Sequence, residues 1–333
     1  MKSVFVASSM AVAAGWAYVR HLQLPAGPTR LSWGSLVFGH RGCRGVLGVP
    51  ENTLDAFKYA LSRGAAGIEV DVRLTKDNEL VVFHDAVANG QLKGVPATKR
   101  IDELTLLQLK ELPFITDPTG QIRVPTLEDS VLFCRENNLK MLIEVKERNR
   151  SRLCVDRLLD LYKRYPDYMY EQTTVISFDP RVLYYVRQRD RNVAVGQIHS
   201  GQVLRTWIQT GGENVSWAVR VCPGILDRIL HWVQQSISPW VAGVSMVCPY
   251  YKLYSEKYKR RWHTRKIGIA VWGFTNPTEC TWEMRVPGVV VECDDNHEEF
   301  AAPKQPPDFD IFGDRARERE EEQQRRAAKL PSK

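Results

Sequence analysis

Two acidic residues, Glu69 and Asp71, stand two positions apart in the run Gly67-Ile-Glu-Val-Asp-Val-Arg. The alternation in this run predicts a β-strand, and side chains two positions apart on a strand point to the same face. Both carboxylates are therefore expected together, near the C-terminal end of the strand. At the effective dielectric of a protein surface they repel each other by roughly 2 to 4 kcal/mol, so we expect a cation between them.

A second strand-like run, Met141-Leu-Ile-Glu-Val-Lys, places Glu144 and Lys146 on one face near its end. Three carboxylates from adjacent strands form a hard oxygen site that suits Mg²⁺, with Ca²⁺ as the alternative, better than a soft metal. Lys146 can contact a phosphate oxygen. Any one of these residues alone is more often an exposed strand end or a salt-bridge partner, but the set together favours a metal site.

Two histidines, His40 and His84, are the candidates for proton transfer, because imidazole titrates near neutral pH. Arg41 follows His40 directly and offers a planar fork for phosphate oxygens. Glu51 lies ten residues further on and is predicted either to line the rim or to support Arg41 by a hydrogen bond. The sequence does not assign the acid and the base between the two histidines.

The run Leu80–His84 follows the Glu69 strand after too few residues for a parallel crossover, so we expect it to fold back as a hairpin. If Asp77 and Asn78 form a two-residue turn, Asp71 lies directly opposite His84 in the ladder. This register predicts that His84 converges on the carboxylates.

The elements that must position these residues alternate along the chain. Eight short apolar runs, separated mostly by helix-like stretches, predict a (β/α)₈ TIM-type barrel of the α/β class, in which the C-terminal strand ends form the active-site rim. The predicted strands are Leu36–Phe38, Gly67–Val72, Met141–Val145, Thr174–Phe178, Val193–Gly196, Val241–Met246, Ile267–Trp272 and Gly288–Val291. The predicted helices include Leu54–Ser62, capped by Asn52 or Thr53, Leu127–Asn137, Val155–Arg164 and Ser255–Arg265.

Several segments lie outside the barrel pattern. Residues 86–125 are predicted to be a small insertion after the hairpin, with a short helix near Leu104–Lys110. Residues 22–34 contain Pro25 and Pro28 and are predicted to be a linker, which leaves 35–300 as the barrel domain. Residues 301–333 are Pro-rich and then densely charged, which predicts a disordered tail.

The N-terminus carries an uncharged run from Ser3 to Val19. A helix of that length rises roughly 25 Å, which is the short end of a membrane span. We expect residues 1–21 to be a hydrophobic anchor helix, with a cleaved signal peptide as the alternative. Flanking charges leave the orientation open. Two sequons, at Asn149 and Asn214, would be glycosylated only in the secretory lumen.

Composition limits the other classes of function. The chain has 333 residues, of which 44% are hydrophobic and 26% charged, so it can bury a substantial core. Its net charge of +7 is scattered along the chain, which argues against a nucleic-acid partner. Seven cysteines without a C-x-x-C pair indicate neither a zinc ribbon nor a full disulfide framework.

Taken in order, these motifs resemble the glycerophosphodiester phosphodiesterase family. The resemblance covers roughly residues 36 to 296, and within the family 161–166 and 182–190 look closest to a membrane-bound animal branch. That branch implies an N-terminal anchor, a catalytic domain on the lumenal or extracellular side, and Mg²⁺. The motifs are His40-Arg41-Gly42, Pro50-Glu-Asn-Thr, Glu69-x-Asp71, Thr75-Lys-Asp77, His84-Asp85, Ile143-Glu-Val-Lys146, Ser177-Phe178 and Val271-Trp-Gly-Phe-Thr-Asn276.

The resemblance also implies a role for each matching residue. These roles are metal ligation by Glu69, Asp71 and Glu144, acid and base catalysis by His40 and His84, phosphate binding by Arg41 and Lys146 with Glu51 in support, and a pocket for the alcohol moiety lined by Trp272. Two stretches depart from the family pattern. Residues 86–93 lack the usual Arg-Thr-Thr run, and the closing strand reads VVVECD where Thr-Asp is common, which puts the substrate range in doubt.

The activity that this implies is metal-dependent hydrolysis of glycerophosphodiesters, such as glycerophosphoinositol or glycerophosphoethanolamine derivatives, to glycerol 3-phosphate and an alcohol. A lysophospholipase D acting on lysophospholipids is the alternative, and an inactive, membrane-tethered binding protein is a third reading. The lysolipid reading would be favoured if an apolar stripe between Ile225 and Val241 lay on a membrane, although such a stripe is more often the core-facing side of a barrel helix. The stripe residues are Ile225, Leu226, Ile229, Leu230, Val233, Ile237 and Trp240.

Overall fold

The computed structural model describes residues 14–15, 17–33, 35–202, 223–274, 276–281 and 284–295. Within them, eight parallel strands follow one another around a closed barrel, and β9 pairs back to β1. The predicted (β/α)₈ barrel is confirmed. The strands are β1 Leu36–Gly39, β2 Gly67–Leu74, β3 Leu80–Val82, β4 Lys140–Val145, β5 Thr173–Ser177, β6 Val195–His199, β7 Met246–Pro249, β8 Gly268–Val271 and β9 Val289–Cys293, of which β3 is the antiparallel exception.

The helices lie between the strands, as the alternation predicts. They are α1 Leu54–Ser62, α2 Leu106–Glu111, α3 Leu127–Glu136, α4 Ser151–Arg164, α5 Pro166–Gln172, α6 Pro180–Arg189, α7 Pro223–Ser236, α8 Ser238–Ala242 and α9 Glu256–His263, with 3₁₀ turns at Leu31–Trp33, Ile101–Glu103, Tyr251–Leu253 and Pro277–Glu279. Local sequence starts several of them. Thr53 caps α1 by accepting a hydrogen bond from the Ala56 amide, and Thr105 and Thr126 form capping boxes at α2 and α3.

Alternation along the barrel strands separates two apolar cores. One side chain of each neighbouring pair faces the helices, as Val289 and Val291 do, and the other fills the barrel, as Val290 does. The inner cluster includes Phe38 and Leu142. Glu69 and Asp71 alternate with the outward Val70, so they point into the barrel above this apolar floor.

One predicted strand is misplaced. The run Val241–Met246 was expected to form the seventh strand, but Val241 and Ala242 belong to the end of α8, and β7 begins only at Met246. Gly243 ends the helix with φ +60°, a left-handed conformation that favours glycine. A short apolar run reads equally well as a buried helix or a strand, so the sequence pattern alone does not separate them.

The hairpin register differs from the predicted one by a single residue. Asp71 lies opposite Phe83, whose amide donates to the Asp71 carbonyl at 2.9 Å, and not opposite His84. The loop has three residues instead of two, because Asn78 takes a left-handed φ of +64° and Thr75 pairs with Glu79 across the loop. His84 therefore lies beyond the ladder, and strand alternation does not set its direction.

The insertion after the hairpin has its own small core. Phe83 stacks on Phe114 with ring centroids 6.4 Å apart, and Leu92, Ile101 and Leu109 are buried beside them. The predicted short helix appears as α2. This support fixes the chain on both sides of His84.

The segment before β1 follows the N-terminal end of the barrel. The Leu24 amide donates to the Val241 carbonyl at 2.8 Å, and the buried Arg30 guanidinium donates to the Thr173 carbonyl at 2.9 Å. None of the helices in the described part of the chain has the length and apolar character needed to cross a bilayer. Most of the predicted anchor, all of the predicted tail, and Asn214 lie outside the described residues.

The apolar stripe on α7 does not face the core. Ile225 and Ile229 are 59% and 53% exposed, whereas the buried side of the helix carries Asp227 and Gln234. Gln234 donates to the Phe178 carbonyl at 3.1 Å. The expectation of a core-facing stripe is therefore wrong, because polar contacts with the barrel hold this helix.

Candidate active site

Three carboxylates meet at the C-terminal rim of the barrel. Parallel pairing sets Asp71 beside Glu144, and Glu69 shares their inward face. One oxygen from each residue lies within 4.8 Å of the other two, and all three side chains are buried. One oxygen of Glu69 and one of Asp71 have no hydrogen-bond partner within the described residues. A cluster of hard oxygen donors with free lone pairs can hold a divalent cation such as Mg²⁺ or Ca²⁺.

Two cations of the chain itself lie against this cluster. The Lys146 ammonium is 2.8 Å from Glu144 and 3.2 Å from Asp71, and the Arg41 guanidinium is 3.4 Å from Asp71. Burial opposes the charged form of Lys146, but Glu144 and Asp71 outweigh it and raise its pKa. Burial would likewise raise the pKa of Asp71, yet Lys146, His84 and Arg41 lower it.

Glu69 has a different electrostatic balance. Burial is the largest cause that raises the pKa of Glu69, and repulsion from Asp71 and Glu144 raises it further. Its nearest donor is the Arg41 amide, at 3.0 Å. A cation bound among the three carboxylates would stabilise the charged form of Glu69, because it removes the repulsion that raises this pKa.

The turn after β1 directs Arg41 into the site. Arg41 itself takes a left-handed φ of +53°, and its guanidinium donates to Glu51 at 2.8 Å. Gly42 has φ +81°, and a Cβ there would meet Ala56 of α1 at 2.8 Å. Close approach of this turn to α1 thus requires glycine. Of the two predicted positions for Glu51, the structure has the one beside Arg41.

Asn52 holds Asp71 from the start of α1. Its amide nitrogen donates to an Asp71 oxygen at 2.8 Å, and its own side-chain oxygen accepts from the Asp71 amide at 3.3 Å. Asn52 is buried and has φ +58°, a conformation that asparagine tolerates well. Sequence reasoning treated it only as a possible helix cap, a position that Thr53 occupies.

Each candidate histidine is held by an aspartate at Nδ1. His40 lies 2.6 Å from Asp294, and His84 lies 2.7 Å from Asp85. In the neutral ring this contact places the proton on Nδ1 and leaves Nε2 as the acceptor. Burial lowers the pKa of His40 although Asp294 opposes that shift, and the hydrogen bond from His84 lowers the pKa of Asp85 to about 2.

These groups share one cavity of about 320 Å³, lined by His40, Arg41, Glu69, His84, Glu144 and Lys146 among others. It adjoins an open cleft of about 840 Å³. Trp272 lines both spaces and packs edge to face against Phe178 at 5.7 Å and against Tyr250 at 5.4 Å. All nine site residues that the sequence singled out therefore lie at the rim: His40, Arg41, Glu51, Glu69, Asp71, His84, Glu144, Lys146 and Trp272.

A fourth buried carboxylate, Glu292, lines the same cavity. Burial raises its pKa to about 8, and repulsion from Glu144 and Asp71 contributes. The sequence predicted no role in the site for Glu292, Asp294, Asp85 or Asn52. Asp85 could have been found from its position directly after His84. Asp294 stands 254 residues from His40 and comes near only because β9 closes the barrel on β1.

Barrel and rim together define an α/β-barrel protein with a polar centre suited to an anionic substrate. A family model described as the glycerophosphoryl diester phosphodiesterase family matches residues 40–292. The chain belongs to this family, an enzyme family that hydrolyses glycerophosphodiesters. The resemblance inferred from the motifs is confirmed.

Curated relatives support the animal branch. Glycerophosphodiester phosphodiesterase 1 of Bos taurus is 30% identical over 242 residues, and the Homo sapiens protein of the same name is 29% identical over 248; each match covers 70% of both chains. Among solved structures, a phosphodiesterase of Oleispira antarctica in complex with the product sn-glycerol-3-phosphate has a TM-score of 0.60 at 17% identity, covering 82% of this chain and 98% of that one. At that identity the likeness speaks for the fold alone.

Proposed function

We propose that this protein hydrolyses glycerophosphodiesters, such as glycerophosphoinositol or glycerophosphoethanolamine derivatives, to glycerol 3-phosphate and an alcohol, with a divalent cation as cofactor. One observation carries the proposal: three clustered carboxylates share a cavity with two histidines, each held at Nδ1 by an aspartate. The resemblance to glycerophosphodiester phosphodiesterase 1 and the product named for the Oleispira antarctica structure support this substrate class.

Glu69, Asp71 and Glu144 would hold the cation, with Mg²⁺ favoured and Ca²⁺ as the alternative. When bound there, it supplies Lewis-acid stabilisation of the charge that develops on the phosphoryl oxygens. Arg41 and Lys146 bind the diester oxygens from the two sides of the cluster. Glu51 keeps the Arg41 fork in position, since it accepts a hydrogen bond from it at 2.8 Å.

The two histidines divide the proton transfers. Burial favours neutral His40, whose Nε2 is then free to take a proton from the attacking hydroxyl. That hydroxyl belongs either to water or to the glycerol moiety, and in the second case water then opens the resulting cyclic phosphate to give glycerol 3-phosphate. His84, which is more exposed, donates the proton that the leaving alcohol requires. Asp294 and Asp85 fix the tautomer of each ring. Trp272 lines the cleft, where the alcohol moiety binds.

A substrate panel assayed with and without EDTA tests the proposal. Glycerophosphodiesters should be cleaved to glycerol 3-phosphate, and EDTA should remove the activity until Mg²⁺ is restored. His40→Ala should lower kcat by at least about 10²-fold. Glu103→Ala, an exposed carboxylate on the insertion, serves as the control and should leave turnover unchanged. Full activity of purified His40→Ala would sink the assignment.

A lysophospholipase D activity is the second candidate, and the exposed face of α7 favours it. Ile225, Ile229 and Trp232 are each more than half exposed and can rest on an acylated, aggregated substrate. The double variant Ile229→Ser/Trp232→Ser should then lose activity on lysophospholipid but not on deacylated diester. The matched variant Leu107→Ser/Ile115→Ser removes two exposed apolar side chains elsewhere. A strong wild-type preference for deacylated substrates would eliminate this candidate as the main activity.

We also propose that the apolar N-terminal run anchors the protein in a membrane, with the barrel on the lumenal or extracellular side. The sequence from Ser3 to Val19 supports the anchor. Asn149 of the sequon is exposed, so a transferase in the secretory lumen would reach it. Mass spectrometry of protein from a eukaryotic host should find a glycan on Asn149, and an unmodified Asn149 would contradict this placement.

A further inference from the structure

Glu292 is an inward-facing carboxylate that no other feature of the site uses. It lies on β9, where Val289 and Val291 face the helices and Val290 faces the barrel interior, so alternation turns Glu292 inward as well. Its side chain lines the smaller cavity together with Trp272.

Within the described residues, Glu292 has neither a hydrogen bond nor an ion pair, although only 5% of it is exposed. The other charged groups of the cavity are paired. Arg41 contacts Glu51, Lys146 contacts Glu144, and Asp294 contacts His40. Leaving the polar atoms of a buried carboxyl group without a hydrogen-bond partner is costly, so such a group indicates a ligand that completes it.

The candidate cation cluster does not supply that ligand. Its members, Glu69, Asp71 and Glu144, lie within 4.8 Å of one another, and Glu292 is not part of the set. Apolar side chains line part of the same cavity, namely Ile198, Cys248 and the Trp272 ring, and the charged groups of the candidate cation site line the rest. A carboxyl group among apolar walls fits a small fragment with hydrocarbon faces and hydroxyl groups, which is the chemistry of glycerol.

The two spaces of the site differ in size, which assigns the two halves of a diester. The smaller cavity of about 320 Å³ suits the constant glycerol moiety, and the larger cleft of about 840 Å³ admits variable alcohols. We propose that Glu292 binds hydroxyl groups of the glycerol moiety and thereby determines specificity for glycerol diesters. This inference rests on the proposed function and identifies the glycerol moiety as the part of the substrate that Glu292 recognises.

A matched pair of diesters tests it: glycerol p-nitrophenyl phosphate and propyl p-nitrophenyl phosphate, which differ only in the two hydroxyl groups. The wild type should prefer the glycerol diester in kcat/KM. Glu292→Leu should lose about ten- to a hundredfold on the glycerol diester and little on the propyl diester, because only the hydroxyl contacts are removed. Glu292→Gln keeps a hydrogen-bonding group and should fall in between.

Glu147→Gln is the control, because Glu147 is also a buried carboxylate but lines the open cleft and contacts Arg150. It should leave the preference for glycerol unchanged. An undiminished preference in Glu292→Leu, or an equal loss on both diesters, would overturn the inference. If Glu292→Leu fails to fold, Glu292→Gln tests the inference by the same ratio of kcat/KM on the glycerol diester to kcat/KM on the propyl diester.

Calorimetric binding of glycerol 3-phosphate and propyl phosphate, in the presence of Mg²⁺, gives a second measurement that requires no turnover. The wild type should bind glycerol 3-phosphate more tightly than propyl phosphate, and this difference in affinity should be smaller in the Glu292 variants. Equal narrowing in Glu147→Gln would overturn the inference. A wild type that hydrolyses neither diester would defeat the proposed function, while this binding ratio would still decide the role of Glu292.

Discussion

The rim of the barrel has two walls that are built differently. The carboxylate wall consists of His40, Glu69, Asp71, Glu144 and Asp294, and each of these side chains has an ionisable neighbour within 4.0 Å. The aromatic wall consists of Phe178, Tyr250 and Trp272, which hold one another by edge contacts with centroids 5.4 to 5.7 Å apart.

This difference assigns catalysis to the carboxylate wall and substrate recognition to the aromatic wall. Charged groups that oppose one another at short range tolerate little displacement, because their energies change steeply with distance and with the loss of any partner. Aromatic rings in edge contact offer a broad apolar surface that accepts many shapes. We therefore expect changes in the carboxylate wall to lower kcat for every substrate, and changes in the aromatic wall to alter KM for particular ones.

The largest effect should come from Glu69→Gln. The substitution keeps the shape of the side chain but removes one of three charges that would hold the cation, so kcat should fall by about 10³-fold or more for every diester. Isothermal titration with Mg²⁺ should show a parallel loss of affinity. Retained activity with unchanged Mg²⁺ affinity would remove Glu69 from the cation site and with it the proposed function of this wall.

The next effect concerns Asp294, which acts through His40 as a positioning residue. Asp294→Asn should lower kcat/KM by about 10²-fold, since the tautomer of His40 is no longer fixed. Asp294 stabilises the protonated ring, so its loss lowers the pKa of His40 further. If His40 is the base, the acid limb of the pH profile moves to lower pH. Movement of the alkaline limb instead would make His40 the acid.

The two walls also differ in how far the sequence predicted them. Strand alternation brought Glu69 and Asp71 to one face, and the parallel order of the barrel brought Glu144 beside them. Those placements depend on local periodicity, which a sequence displays directly. The contact of Asp294 with His40 depends on closure of the barrel over 254 residues, and no local pattern encodes it.

The errors have physical causes of the same kind. The predicted register of the hairpin was wrong by one residue, because Asn78 adopts a left-handed conformation and lengthens the loop. The seventh strand was predicted too early in the chain, because an apolar run fits both a helix end and a strand. Gly243 ends the helix there in a left-handed conformation. On α7, hydrophobic periodicity predicted a buried face, but the polar contacts of Gln234 hold a neighbouring face against the barrel.

A smaller effect is expected from the aromatic wall. Trp272→Ala should raise KM about tenfold while kcat changes little, because the ring contacts ground state and transition state alike. The size of the effect should vary with the alcohol moiety. Trp272→Phe keeps a ring beside Phe178 and should recover most of the affinity. An equal loss of kcat for all alcohols would place Trp272 functionally with the carboxylate wall.

The smallest effect should come from Lys252, a cation at the edge of the open cleft. Its ammonium lies over the Tyr251 ring at 5.5 Å and has no carboxylate partner among the described residues. Lys252→Ala should reduce kcat/KM about two- to threefold for diesters with an anionic alcohol moiety and should not affect neutral ones, because an exposed charge acts through screened attraction. Adding salt to about 0.5 M should abolish the difference between variant and wild type. A loss that persists in high salt, or that includes neutral diesters, would mean that Lys252 shapes the cleft and does not attract charge.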